Sequence, residues 1–69
     1  METVNYKPYQ QRVVDEKAEL DDRLSKLKAF CFTAMFDELD LAEQNRLRLQ
    51  EQCMASYSAV LGERIAAFK

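Results

Sequence analysis

The sequence holds a single glycine, Gly62, and a single proline, Pro8, in 69 residues. These two residue types mark turns and helix ends most strongly, because glycine reaches backbone conformations that other residues avoid and proline interrupts a helix. A chain with so few of them has little means of making the tight turns of a β fold. Long helices are therefore expected, and Pro8 suits a first helical turn, where its missing N–H leaves no hydrogen bond unmade.

Two long stretches show helical periodicity, and a D-x-x-E capping motif opens the second of them. The first stretch runs from about Pro8 to about Cys31, and the second runs from about Asp40 to about Phe68. Apolar residues of the first stretch recur every three or four positions along one face: Val13, Leu20, Leu24, Leu27 and Cys31. The sequence predicts an all-α protein, an antiparallel helical hairpin in a single domain over residues 1–69.

The second predicted helix has two apolar strips on different sides. The main strip contains Leu47, Met54, Tyr57, Leu61 and Phe68. The second strip contains Leu49, Cys53, Ser56, Val60 and Ala67. A helix that is apolar on two sides needs two neighbours, and a hairpin supplies only one. Because a chain of this length also forms a marginal core by itself, the sequence predicts assembly into a homo-oligomer.

The segment between the two long helices is rich in apolar residues. Phe32, Met35, Phe36 and Leu39 fit one or two amphipathic helical turns, which Thr33 could cap. One interpretation is a short helix that closes the end of the hairpin. The other is a hydrophobic docking surface for a partner protein.

Composition argues against several classes of function. A net charge of −2, with both signs interspersed, does not suit binding to duplex nucleic acid, which favours a basic face. No apolar run approaches the roughly 20 residues of a membrane span, and the first residues, Met1 to Tyr6, lack the apolar core of a secretory signal. The chain has no histidine, and its two cysteines, Cys31 and Cys53, stand alone. We therefore expect no metal, no cofactor, reduced cysteines and a cytoplasmic location.

The sequence also offers few side chains suited to catalysis. General acid–base chemistry near neutral pH uses histidine or carboxylates forced together in a dry cleft. The carboxylates of this chain are dispersed along hydrated helix faces, and no glycine-rich phosphate loop is present. Cys53 has no basic neighbour in sequence to activate it. We expect a protein that is not an enzyme and has no catalytic residue.

Lys17 is the anomalous residue, because it lies in the apolar face of the first helix. Burying a lysine is costly unless its ammonium group is paired. Three interpretations are open: Lys17 reaches solvent, it meets a carboxylate of its own assembly, or it faces an anionic ligand.

The N-terminal segment favours a ligand to some degree. Tyr6, Tyr9 and Arg12 combine aromatic rings with positive charge, which suits stacking on bases and neutralising phosphates. Arg64 continues the main strip of the second helix, where copies from neighbouring chains could converge on one phosphate. The candidate ligand-binding residues are Tyr6, Tyr9, Arg12, Lys17 and Arg64.

Two stretches resemble a family of small helical phage and prophage proteins related to a crAss-like phage product. The first is the run Tyr9 to Asp21, and the second is a spaced pattern that begins at Met54 and ends at Ile65. The resemblance covers nearly the whole chain and carries no function of its own.

A looser resemblance is to the phage anti-CBASS and anti-Thoeris hairpin proteins that act as cyclic-nucleotide sponges. The Tyr6-Lys7-Pro8 segment, Gln11, Arg12, Lys17 and the run Met54 to Ala59 are similar to their motifs. This chain lacks their histidine after the tyrosine, and its proline comes one residue earlier.

The looser resemblance implies an anti-defence protein in the cytoplasm of a host bacterial cell. Such a protein would form a homo-oligomer, as a hexamer in that class, and would sequester cyclic di- or oligonucleotide signals without cleaving them. The alternative is an inhibitor that binds a host protein through the acidic faces or the Phe32–Phe36 segment. A structural or assembly protein of the virion is a third option.

Overall fold

The computed structural model describes residues 5–69 and contains three helices in that range. Helix α1 spans Pro8–Phe30, the short α2 spans Ala34–Asp37, and α3 spans Leu41–Ala66. The two long helices pack against each other in opposite directions, and residues 5–69 contain no strand. The predicted all-α hairpin is therefore confirmed. The part of the secretory-signal expectation that concerns residues 1–4 lies outside the described residues.

Side chains define where the two long helices begin. At the start of α1, the Lys7 N–H donates to Oε1 of Gln10 at 2.9 Å, and the Gln10 side chain is buried beneath this turn. At the start of α3, Oδ1 of Asp40 accepts from the Glu43 N–H at 2.7 Å. The expected return contact of a capping box is absent there, because the Glu43 carboxylate instead pairs with Arg46 at 2.8 Å. Charge pairing one turn along the helix competes successfully for that side chain.

Helix α2 closes one end of the hairpin by burying Phe36, which is 1% exposed. The Thr33 side chain caps this helix, accepting from the Phe36 N–H at 3.3 Å. The Phe30 ring meets the Phe36 ring edge-on, with centroids 6.1 Å apart. The guanidinium of Arg48 lies over the same ring at 5.0 Å from its centroid. The predicted closing role of this segment is therefore observed for Phe36.

The core between α1 and α3 is thin. The buried apolar residues are Val13, Leu24, Cys31, Phe36 and Leu61. The predicted face of α1 is thus confirmed at three positions, and its Cys31 is a packing residue with a free thiol.

The predicted main strip of α3 is wrong at one position. Tyr57 is 46% exposed, and its neighbour Ser58 is buried instead. A step of one residue turns the helix by about 100°, so the packed face lies further round the helix than hydrophobicity alone indicates. The physical cause is a polar contact from Ser58 to α1, which is described below.

The second apolar strip of α3 is exposed along its whole length. We call it the outer strip, and it consists of Leu49, Cys53, Ser56, Val60 and Ala67. Leu49 is 58% exposed and Val60 is 51% exposed. Cys53 is therefore exposed in the single chain, with a free thiol.

Candidate functional site

An aromatic cluster forms where the two ends of the hairpin meet. Rings of Tyr6 and Tyr9 each contact the ring of Phe68 edge-on, with centroid separations of 6.1 Å in both cases. Edge-to-face contacts at this distance are favourable. Tyr9 remains half exposed, so the cluster both joins α1 to α3 and presents an aromatic face to solvent.

Positive charge predominates in the two sequence ranges that supply this cluster. We define the open end as residues 5–12 and 60–69, which hold Lys7, Arg12, Arg64 and Lys69 against the single acidic Glu63. The side-chain charge of the open end is therefore +3, in a chain whose overall charge is −2. Among residues 5–69, neither Arg12 nor Arg64 makes a salt bridge.

Both arginines are exposed and lie near the cluster in sequence. Arg12 is three residues after Tyr9 in α1, a spacing that puts the two side chains on neighbouring positions of the helix. Arg64 lies in the last turn of α3, and the chain reaches Phe68 just after that helix ends. Four of the five predicted ligand residues, Tyr6 included, thus belong to the open end.

Lys17 lies outside the open end, and its side chain reaches from α1 to α3. Its Nζ donates to Oδ2 of Asp21 at 2.7 Å and to Oγ of Ser58 at 3.1 Å. The Ser58 hydroxyl in turn donates to Oδ1 of Asp21. Three side chains from two helices therefore form a closed polar triangle, which fixes α1 against α3 at this point.

The polar triangle shows which partners Lys17 has within the single chain. Its ammonium group meets a carboxylate, that of Asp21, and the side chain is 30% exposed. Two of its three N–H groups are engaged by the protein. A ligand-binding role for Lys17 stays a prediction, and it would require the anion to approach next to Asp21.

Sequence reasoning missed Asp21, Ser58, Gly62 and Phe68. The i, i+4 spacing of Lys17 and Asp21 was available as a signal of pairing. Gly62 has a local reason as well: a Cβ there would lie 3.3 Å from Cε of Lys17. The absence of a side chain at position 62 lets the aliphatic part of Lys17 lie close to α3.

Hydrogen bonds from Lys17 and Ser58 hold the pKa of Asp21 below its ordinary value of 3.8. A carboxyl whose pKa is lower in the folded chain stabilises the fold above that ordinary value, and the contribution is lost as the pH falls through the folded-state pKa. We therefore expect Asp21→Asn to lower the melting temperature at neutral pH, with the difference from the parent shrinking as the pH falls below the ordinary value of 3.8 and through the folded-state pKa.

The control for this pH dependence is Asp22→Asn. Asp22 pairs with Lys26 at 3.0 Å on the open surface, where such pairs contribute little. Thermal melts of both variants and the parent at neutral and acidic pH provide the comparison. An Asp21→Asn deficit that stays constant with pH would contradict the role assigned to the polar triangle.

A second prediction concerns Gly62→Ala. Alanine is favoured over glycine inside a helix by about 1 kcal/mol, but the new Cβ would crowd the tethered Lys17 stem. We expect little gain in unfolding free energy in the parent and the full gain of about 1 kcal/mol in a Lys17→Ala background. A double-mutant cycle measured by urea unfolding tests this. Equal gains in both backgrounds would mean that the close approach has no energetic consequence.

Three further features bear on function within the described residues. No group of histidine, cysteine or carboxylate side chains in residues 5–69 has the arrangement of a metal site. No helix of the described chain has the length and hydropathy to cross a membrane. The surface that residues 5–69 of this single chain form also has no pocket, so the open end is an exposed platform.

Comparison with known proteins gives one match. No curated protein and no solved structure is significantly similar to the chain. A profile of the Sequestin family matches residues 7–67. That range contains both long helices and the polar triangle. Of the aromatic cluster it contains only Tyr9. Since the match covers 61 of 69 residues, the chain belongs to the Sequestin family.

Proposed function

We propose that this protein is a phage anti-defence protein that binds cyclic di- or oligonucleotide immune signals and sequesters them without cleaving them. The observation that carries the proposal is the open end, which combines an aromatic cluster, with its half-exposed Tyr9, and two exposed arginines that form no salt bridge among the described residues. The family name supports a sequestering role in general terms.

The chemistry of the open end matches that of such ligands. A cyclic nucleotide presents flat bases and negatively charged phosphodiesters in one small molecule. Tyr9 offers a half-exposed ring for stacking on a base, which is worth about 1–3 kcal/mol per base in single-stranded nucleic-acid sites. Arg12 and Arg64 offer planar guanidinium groups that bind phosphate oxygens in pairs. Tyr6 supports the platform through Phe68.

Sequestration needs affinity and a sufficient amount of protein, and it needs no reacting group. Carboxylates at the open end are limited to Glu63 among residues 5–12 and 60–69, which leaves no carboxylate pair for acid–base hydrolysis there. We therefore propose that the protein is not an enzyme. A small ligand is normally buried over most of its surface, so the exposed platform calls for a second copy to cover it.

A thermal-shift screen tests the proposal. A ligand that binds the native state raises the melting temperature, by an amount that grows with the ratio of its concentration to the dissociation constant. We expect at least one cyclic di- or oligonucleotide to give a saturable rise, and the matching linear dinucleotide or mononucleotide to give a much smaller one. A flat response across the cyclic panel would overturn the proposal.

One observation favours the second candidate, inhibition of a host protein. Phe32 is 91% exposed and Met35 is 68% exposed, and both lie beside the α2 closure at the end opposite to the aromatic cluster. Exposed aromatic and methionine side chains are common at protein interfaces. If this surface carries the function, Phe32→Ala should abolish capture of the host protein while any nucleotide response remains unchanged.

A further inference from the structure

We propose that the outer strip of α3 packs against the outer strip of a second copy, with the two α3 helices antiparallel and a two-fold axis near Ser56. The strip is uncharged along five positions, and all of them are exposed in the single chain. Its packing does not depend on any ligand.

The exposed area of the chain is the first argument for a second copy. A compact monomer of 8.1 kDa is expected to expose about 4500 Å², whereas this chain exposes 5536 Å². The excess is of the order of the 800 Å² that each partner contributes to a standard protein interface. The shape agrees, because the radius of gyration is 15.7 Å against about 11 Å for a compact chain of this length.

The length of α3 makes the strip a sufficient surface. Its 26 residues give a helix about 39 Å long, and the outer strip follows most of that length. Two such helices packed side by side would remove the exposed leucine and valine of both copies from water. The occupant is a second copy because its strip offers the same length and the same uncharged character.

Side-chain sizes along the strip select the antiparallel arrangement. With the axis near Ser56, Cys53 of each copy faces Val60 of the other, which combines a smaller and a larger side chain as close packing requires. Ser56 faces its own counterpart, and Leu49 faces the region around Glu63 of the other copy, before Ala67. A parallel pair would set Leu49 on Leu49 and Ala67 on Ala67, which spreads the helices at one end and leaves a void at the other. The opposed helix dipoles also favour the antiparallel pair.

The arrangement has a consequence for the proposed ligand site. Arg46 and Arg64 are 18 residues apart, about five helical turns, so they lie on one line beside the outer strip. Antiparallel packing brings Arg46 of one copy within about one turn of Arg64 of the other. An anion bound at the open end would neutralise both, so the second copy contributes Arg46 to the site. This step rests on the proposed function, whereas the packing of the strips does not.

Cysteine cross-linking without ligand tests the packing. Position 56 lies near the axis, so Ser56→Cys in a Cys53→Ser background should form a covalent dimer under mild oxidation. The native Cys53 should not, because its counterpart is about 10 Å away along the axis, beyond the Cα separation that a disulfide allows. Ala55→Cys in the same background is the control, since that position faces another side of α3. Cross-linking by the native Cys53 would overturn the antiparallel arrangement, and failure of Ser56→Cys would overturn the surface itself.

Solution mass provides the second test. Val60→Glu places a charge in the strip and should weaken self-association at least about tenfold, moving the mass by light scattering toward 8.1 kDa. Ala55→Glu adds the same charge to the same helix outside the strip and should retain the parent mass. A Val60→Glu protein with the mass of the parent would contradict the proposal. Neither test uses a nucleotide, so their outcome is independent of whether the proposed function holds.

Discussion

Replacing Phe36 with alanine is expected to remove a large part of the stability of the fold. The ring is 1% exposed, it contacts Phe30 edge-on, and Arg48 covers it. Removing a buried phenylalanine typically costs about 3–5 kcal/mol, and the total stability of a chain of this size is about 3–10 kcal/mol. Circular dichroism during urea unfolding measures the loss directly.

Phe32→Ala is the matched control for this experiment. It removes the same side chain from the same segment, four residues earlier, where the ring is 91% exposed. Its effect on the unfolding free energy should stay within about 0.5 kcal/mol. Similar losses for the two variants would show that α2 does not close the hairpin through Phe36.

Removing either arginine of the open end should weaken binding of the cyclic nucleotide by about ten- to a hundredfold. A hydrogen bond to a charged group contributes about 1.5–3 kcal/mol, and each 1.4 kcal/mol is about a factor of ten in affinity. Because Arg12 and Arg64 make no salt bridge among the described residues, Arg12→Ala and Arg64→Ala should leave the melting temperature of the free protein nearly unchanged. Isothermal titration of each variant with the ligand found in the thermal-shift screen measures the effect.

Arg23→Ala serves as the control for the arginine variants. Arg23 is an exposed arginine of α1, three helical turns from Arg12 and away from the aromatic cluster. It should bind the ligand like the parent. If all three variants bind equally well, the ligand lies elsewhere on the molecule.

The helices were predictable because their signals are local. The position of Pro8, the Asp40 cap and the Thr33 cap each depend on residues within one turn, and all three are observed. Burial of Ser58 instead of Tyr57 was not predictable in the same way. It depends on contacts with Lys17 and Asp21 across the hairpin, and Ser58 is 41 residues from Lys17 in sequence.

The candidate site was predictable only in part for the same reason. Sequence composition identified the tyrosines and Arg12 as an aromatic and cationic segment. Phe68 joins the tyrosines only because the hairpin brings the end of α3 next to the start of α1. Lys17 was recognised as anomalous from its place in an apolar face. Its contact with Ser58 depends on how α1 and α3 are aligned across the hairpin, and periodicity alone does not determine that alignment.

Equilibrium dialysis against a cyclic nucleotide, followed by release of the ligand from heat-denatured protein and its identification by mass spectrometry, tests whether the protein sequesters these signals. We expect saturable retention in a fixed ratio to the protein and recovery of the intact cyclic molecule after any length of incubation. Recovery of a linear product would show that the protein is a hydrolase. Absence of retention at micromolar protein, for every cyclic di- and oligonucleotide, would contradict sequestration of these signals.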